Sequence, residues 1–335
     1  MKRKAVDMPP THSRGNDFMR KLLAGVALAT LAAGPAMAAP IATDFNLITD
    51  QVEYEEIGSA NSLNALSIND ADSAPIGGGS DHFDDALAMF IDGNPFLDTG
   101  TLDVVDNGDS FSVNSGIQAF GDVDVQVAFE LFDGTPVARQ IVTFQNTGTG
   151  QASLSASWAN NTGNDGSQVL VDDSSGNNAL GLDDTWVTTA DTADPTAVNS
   201  ETNVWVFGGG TPGNFLVPTL VSLLDGVPGG DFGTSGDQGF NAVFDLTLDP
   251  GETAALMFFV GTPAGNGLGG QTFGDQFNNL NTPFFANLID DLSGTQQAQI
   301  LNFDLSGTTA APTPGPIALL GLGLAGLAGL RRRRG

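Results

Sequence analysis

The chain has 335 residues, no cysteine, and 39 acidic against 11 basic side chains, a formal net charge of −28. Disulfides, thiolate metal sites and cysteine nucleophiles are thereby excluded. Six of the basic residues lie at or before Lys21 and four at Arg331 to Arg334, so residues 39–311 hold 37 acids against one cation, Arg139, for a formal charge of −36. Such a surface repels nucleic acid and anionic lipid headgroups, whose recognition rests on Lys and Arg. It attracts divalent cations, with Ca²⁺ favoured outside a cell because its ligands are carboxylates and carbonyls.

The first element is a leader. Met19-Arg20-Lys21 is a basic n-region, Leu22 to Gly34 an apolar h-region, and Ala36-Met37-Ala38 a small-x-small cleavage site. Cleavage after Ala38 would give a mature chain beginning at Ala39, exported through the Sec translocon. Residues 1–18 have no structural pattern and are either an extended n-region or lie upstream of a true start at Met19.

From residue 39 the prevailing signal is alternation of apolar and polar residues between Gly, Asn, Asp and Pro punctuation. Val123, Val125, Val127, Phe129 and Leu131 share one face of a strand, with Asp124, Gln126 and Glu130 on the other. Residues 140–145, 152–158, 204–207, 240–248 and 253–260 read the same way. Asp249-Pro250-Gly251-Glu252 is a tight turn, which predicts a hairpin ending in the apolar strand Leu256-Met257-Phe258-Phe259-Val260 at a sheet centre. A short helical excursion is predicted near 273–292, where Phe284, Phe285, Leu288, Ile289 and Leu292 follow a 3.6 period, and Ile300 to Leu305 reads as a closing strand. No fixed-period repeat is present, which argues against a propeller, a β-helix or a calcium-binding repeat array. Residues 39–307 are therefore expected to form an all-β secreted unit, an antiparallel β-sandwich of the Ig-like or jelly-roll type, as one large domain or two with a boundary near 191–202.

The residues available for chemistry are few. A Ser-His-Asp arrangement would have to use His82, in Asp81-His82-Phe83-Asp84-Asp85, and no Gly-x-Ser-x-Gly elbow presents a serine. The expectation for His82 is a solvated acidic loop or strand start, with a transition-metal site of His82, Asp81, Asp84 and Asp85 as the sharper alternative. Loops that concentrate oxygen donors beside glycine are candidate Ca²⁺ sites: Asp103, Asp106 and Asp109, then Asp165, Asp172 and Asp173, then Asp183 and Asp184, none with EF-hand spacing. Asp, Asn and Gly also dominate ordinary turns for backbone reasons. Trp158 and Trp205 fall in strands and are expected in the core; Trp186, beside Asp183 and Asp184, is the better candidate of the three for an exposed sugar-stacking ring, although structural packing is the expected role for it too. Arg139 should find a carboxylate partner. Glycoside hydrolysis needs only two carboxylates, so a carboxylate-dependent carbohydrate enzyme stays open beside a carbohydrate-binding module.

The end of the chain reads as an address. Residues 308–316 form a small-residue and proline spacer that includes Pro312-Thr313-Pro314; a 14-residue apolar run follows, Ile317 to Leu330, and then Arg331, Arg332, Arg333 and Arg334. As a helix the run spans roughly 21 Å at ~1.5 Å per residue, short of the ~30 Å hydrocarbon core, so its membrane association would be transient. The arginines would hold the terminus at the cytoplasmic side, with the body across the membrane. This order resembles the PEP-CTERM sorting tail, with Thr313 where that family usually carries Glu. Residues 141–147, 158–161, 163–167 and 248–253 are similar to stretches in other exported proteins with such tails. The resemblance implies a substrate of an exosortase in a Gram-negative bacterium, cleaved near the proline motif and placed at the cell surface or in a biofilm matrix with exopolysaccharide. The expected role is interaction without catalysis.

Overall fold

The computed structural model describes residues 40–41, 45–58, 65–73, 82–83, 85–97, 102–162, 169–190, 202–223, 239–263 and 267–307. These lie in one compact unit. The leader, the sorting tail and most of the 191–202 segment fall outside the described residues.

Seventeen strands lie among the described residues: β1 (Pro40–Ile41), β2 (Phe45–Ile48), β3 (Val52–Ile57), β4 (Asp70–Ser73), β5 (Asp85–Ile91), β6 (Asn94–Pro95), β7 (Leu102–Asp106), β8 (Ser110–Phe120) and β9 (Val123–Phe132), then β10 (Val137–Asn146), β11 (Ala152–Asn161), β12 (Val169–Asp173), β13 (Trp186–Ala190), β14 (Thr202–Val206), β15 (Leu220–Ser222), β16 (Gly239–Leu248) and β17 (Thr253–Gly261). They form a nine-stranded sheet in the order β1-β7-β8-β9-β10-β17-β14-β13-β12, a five-stranded sheet β15-β16-β11-β5-β6, and a three-stranded sheet β2-β3-β4. The ladders are antiparallel, so the all-β sandwich expected from the alternation is what forms.

The predicted inner face of β9 is the observed one: Val123, Val125, Val127, Phe129 and Leu131 are buried in the core between the sheets. Val52, Tyr54 and Ile57 of the three-stranded sheet enter the same core. β17 is different, because neither of its faces meets water. Ala254, Leu256, Phe258 and Val260 enter the sandwich core, while Ala255, Met257 and Phe259 enter a second core on the other side of the sheet. Its run of adjacent apolar residues is the pattern a strand covered on both faces requires. Each of the leucine, methionine, phenylalanine and valine side chains contributes about 1.5–3 kcal/mol on burial.

The turn at Asp249 to Glu252 is present, with Glu252 N–H donating to Asp249 O at 2.9 Å and Gly251 at φ +79°. It does not close a hairpin. β16 pairs with β11 and β15 in the five-stranded sheet, whereas β17 pairs with β10 and β14 in the nine-stranded one. The turn is thus an arch that carries the chain from one sheet to the other, because both strands turn their apolar faces toward one core, where Phe244 meets Phe258 edge-on at 5.8 Å. β10 and β11 make a second arch beside it. Asn146 joins the two: its backbone exchanges hydrogen bonds with Glu252 O and Gly251 N–H, and its amide donates to Leu248 O at 3.0 Å and Gly150 O at 2.8 Å. A further polar tie crosses the core, where Gln140 Nε2 on the large sheet donates at 2.6 Å to the carbonyl of Leu87 on the small one. Leu87 has φ +65°, and its N–H is taken by Asn160 Oδ1 at 2.7 Å where the β5–β11 register shifts. Side-chain amides here replace ladder bonds that a bulged strand loses.

The helical excursion is longer and more broken than one element near 273–292. It comprises α1 (Gly267–Gly274), a 3₁₀ turn (Asp275–Asn278), α2 (Pro283–Asn287) and α3 (Gly294–Gln299). Thr282 caps α2 ahead of Pro283, and Ser293 with Gln296 forms a capping box on α3, so the breaks are built by local signals. These segments cover the outer face of the large sheet, where Phe277, Phe285 and Phe303 surround Phe259 at ring separations of 5.4–5.9 Å. At Gly270 a Cβ would stand 2.5 Å from Thr202 and 2.6 Å from Thr188, so only glycine lets α1 lie this close to β13 and β14. Ile300 to Leu305 does not form the predicted closing strand; it makes isolated parallel bridges, Ile300 to Ala255 and Phe303 to Gly209, and ends in a 3₁₀ turn at Leu305–Gly307. Ile300, Phe303 and Leu305 serve the second core and not a ladder.

Arg139 lies on the outer face of β10, buried beneath these helices and 5.4 Å from the Phe132 ring. Its guanidinium grips Asp291 bidentately at 2.7 and 2.6 Å and donates to the Leu288 carbonyl. The carboxylate partner expected for the lone cation is therefore Asp291. The two ends of the pair differ in exposure, 4% for the Arg139 side chain and 44% for that of Asp291. Asp291→Ala strands a buried guanidinium and is expected to cost about 3 kcal/mol. Arg139→Met leaves a carboxylate that can rehydrate and should cost under about 1.5 kcal/mol. Urea unfolding of both variants checks this, and a reversed order would contradict it.

Candidate functional site

His82 does not stand in a solvated loop. It is 2% exposed, because its main chain joins the core: N–H donates to Ala71 O at 3.1 Å and the carbonyl accepts from Asn203 Nδ2. Burial lowers its pKa from 6.5 to about 4, against an opposing hydrogen bond with the Thr202 main chain, so the ring is neutral at pH 7. Asp85 is buried beside it in sequence at 1% exposure, while Asp81 and Asp84 lie outside the described residues.

The tryptophans are all interior. Trp158 stacks on Phe258 at 4.7 Å and Trp205 on Phe240 at 5.9 Å, within the sandwich. Trp186, the sequence's candidate for an exposed ring, is 1% exposed and donates from Nε1 to Asn278 Oδ1 at 2.8 Å. It faces the helical layer, its ring lying 2.6 Å from where a Cβ on Gly274 would stand. None of the three offers a face to a sugar.

The candidate calcium loops separate into two kinds. Asp103, Asp106 and Asp109 are exposed on β7 and its following turn, where Asp106 Oδ1 accepts from Gly108 N–H at 2.8 Å. In the β12–β13 loop Asp173 and Asp184 are turned inward, each 2% exposed. Asp173 accepts from Ser175 Oγ at 2.6 Å and from the N–H groups of Asn177 and Ala179 at 3.2 and 2.9 Å. Burial raises its pKa, but the donors of Ser175, Asn177, Ala179 and Gly176 outweigh burial and hold the carboxyl below the ordinary range. Asp184 accepts from Gly181 N–H at 2.8 Å and Ser175 N–H at 3.1 Å; burial and the charge of Asp173 leave its pKa raised. Asp172, half-buried, is also raised, by burial and by the charges of Asp173 and Asp275, and Asp183 is exposed. The inward carboxylates thus organise their loop by accepting its N–H groups. Among the described residues no group of three or more His, Asp or Glu side chains converges to hold a metal ion. Asp165 lies outside them, as do the sorting residues Pro312, Thr313, Pro314 and Arg331 to Arg334, and the leader's Ala36 and Ala38.

What the linear sequence could not bring together is a cleft of about 400 Å³ at one end of the sandwich. Three connections meet there: the β5–β6 turn with Asp92 and Asn94, the β8–β9 turn with Phe120 and Asp122, and the entry to β11 with Gln151 and Ser153. Ile91, Val123 and Leu154 border it from the sandwich core, in which their side chains are buried, and Phe120 is the half-buried apolar ring at its surface. Phe120 is held by stacking on buried Phe96, with centroids 6.5 Å apart. Asp92, at φ +50°, uses Oδ1 to accept from Ser155 N–H at 2.8 Å. Asp92-Gly93 and Gly121-Asp122 are legible in sequence as turns, but nothing local says that the two turns are neighbours.

No protein-family model and no curated protein matches the sequence. Among solved structures, a polysaccharide lyase matches at 13% identity and TM-score 0.37 over 66% of this chain and 33% of its own. A GH36 α-galactosidase from Geobacillus stearothermophilus matches at 10% identity and TM-score 0.40 over 70% and 42%. A TPR-domain protein from Parabacteroides distasonis matches at 10% and 0.36 over 67% and 53%. The chain spans between a third and about half of the length of these proteins, and superposition this loose does not carry an activity from one chain to another.

His82 sets a pH response of stability. Between 6.5 and about 4 the unfolded chain binds a proton that the folded ring refuses, so the ring's contribution is complete above 6.5 and is lost as pH falls toward 4. The slope is up to about 1.4 kcal/mol per pH unit. His82→Gln should remove this component, so that the stability difference between the two proteins changes across that window in urea titrations; parallel curves would contradict the assignment.

Proposed function

We propose that the chain is an exported, non-catalytic protein of the bacterial cell surface or extracellular matrix, delivered by an exosortase-type system and associated with exopolysaccharide. The observation that carries the reading is the pairing of two ends with one body: a leader with Ala36 and Ala38 at its cleavage site, a tail of Pro312 to Pro314, short apolar run and four arginines, and between them 37 acids against one buried arginine. The described body supports it in a second way. His82, Arg139, Asp173, Asp184 and the tryptophans, which the sequence offers for chemistry or stacking, are each committed to internal contacts. Fold support and catalysis make opposite demands on such groups, since a catalytic side chain must reach substrate. The carbohydrate-enzyme and carbohydrate-binding readings both have the end cleft, with Asp92 and Asp122 in its lining, to argue from.

Peptide mapping of the protein recovered from the cell surface or medium of an exosortase-bearing bacterium tests the reading. The expected product begins at Ala39 and ends before Ile317. Replacing Arg331 to Arg334 with alanine should accumulate a longer, membrane-associated precursor. A surface product that retains the residues through Gly335 would overturn it.

A further inference from the structure

We propose that the end cleft is the glycan-binding site of this protein and that its ligand is a neutral polysaccharide, an assignment that rests on the surface-protein reading above. The cleft has the two parts that a sugar ring needs: apolar ground for its C–H face and hydrogen-bonding groups around its hydroxyl edge. Phe120, half-buried at the cleft, supplies the first, and its stacking on Phe96 fixes the ring before any ligand arrives. Asp92, Asp122, Asn94, Gln151 and Ser153 supply the second. A carboxylate accepts from a sugar hydroxyl in a charge-assisted bond, and the amide oxygens of Asn94 and Gln151 accept likewise while their NH₂ groups donate to the Ile91 and Asp92 carbonyls and to Asp249 Oδ1.

The geometry is prepared. Ser155 N–H occupies Oδ1 of Asp92, which orients that carboxylate. The Asp122 side chain is packed against Gly148, where a Cβ would stand 2.7 Å from Oδ2, and Asp122 O accepts from Thr147 N–H at 2.8 Å. The volume of about 400 Å³ lies within the ~300–1,000 Å³ of small-molecule clefts. Charge selects among glycans. No cation lines the cleft, and residues 39–311 carry −36, so a uronate- or sulfate-bearing polymer is repelled while a neutral one is not.

Affinity electrophoresis of the purified protein in EDTA, through gels containing dextran, galactomannan or alginate, tests the assignment. Retardation by a neutral polymer and none by alginate is expected. Asp122 and Gln151 are exposed, so the Asp122→Ala, Gln151→Ala double variant should keep its melting temperature yet bind roughly ten-fold more weakly. Free migration through both neutral gels, retardation by alginate, retention that needs Ca²⁺, or a variant that binds as well as the parent would each overturn it. Any of these with the tail processed as expected removes the cleft assignment alone; an unprocessed tail with neutral-glycan retardation removes only the export reading.

Discussion

The structure depends on one strand being dry on both sides. β17 places Leu256 and Phe258 in the sandwich and Met257 and Phe259 under the helical segments, so the large sheet is the middle layer of three at this point and not an outer wall. A strand covered in this way obliges the chain after Gly261 to return and close the outer face. The glycines of α1, the caps at Thr282 and Ser293 and the parallel bridges at Ile300 and Phe303 are the means by which it does so. The sequence between 267 and 307 is accordingly aromatic and turn-rich: its task is to cover a sheet.

That arrangement decides where charge can sit. With 37 acids on the body, a cation placed on the surface would be bound loosely by many carboxylates, whereas Arg139 beneath the helices is held by Asp291 and the Leu288 carbonyl. Burial without such partners would cost several kcal/mol. The polar groups of the interior follow the same rule. Gln140 and Asn160 are buried because the bulge at Leu87 exposes backbone groups that need them, and Asn146 because two arches meet at its backbone. These amides fix which strand belongs to which sheet, a specification that apolar residues alone do not supply.

Much of this was legible in the sequence, and the gaps have a common cause. Period-two alternation marks strands and faces, so β9, β10, β11, β16 and β17 were readable, as was the core role of Trp158 and Trp205. Pairing was not. The Asp-Pro-Gly-Glu turn reads as a hairpin, since a turn's chemistry reports its own backbone and not the sheet to which the next strand goes. His82 was misplaced for a related reason: its neighbours in sequence are acidic, and Asn203, which holds its main chain in the interior, is distant along the chain. The segment from Ile141 to Thr147 leads into one of the two arches joined at Asn146, and that from Leu248 to Thr253 forms the other. The end cleft left no trace beyond two turn dipeptides.

The functional account follows from the same division of labour. Among the described residues, His82, Arg139 and the tryptophans are held between the layers, and the end cleft with Asp92 and Asp122 lies at the surface. The claim beneath it is that the helical segments are a structural layer of the sandwich. Native-state hydrogen exchange tests this directly. The account predicts that amides of β17 and the main-chain donors of residues 285–301 exchange only through global unfolding, with one common dependence on denaturant. Early, separate exchange of residues 285–301 while β17 stays protected would mean that the helices are an appendage and that the sandwich stands without them.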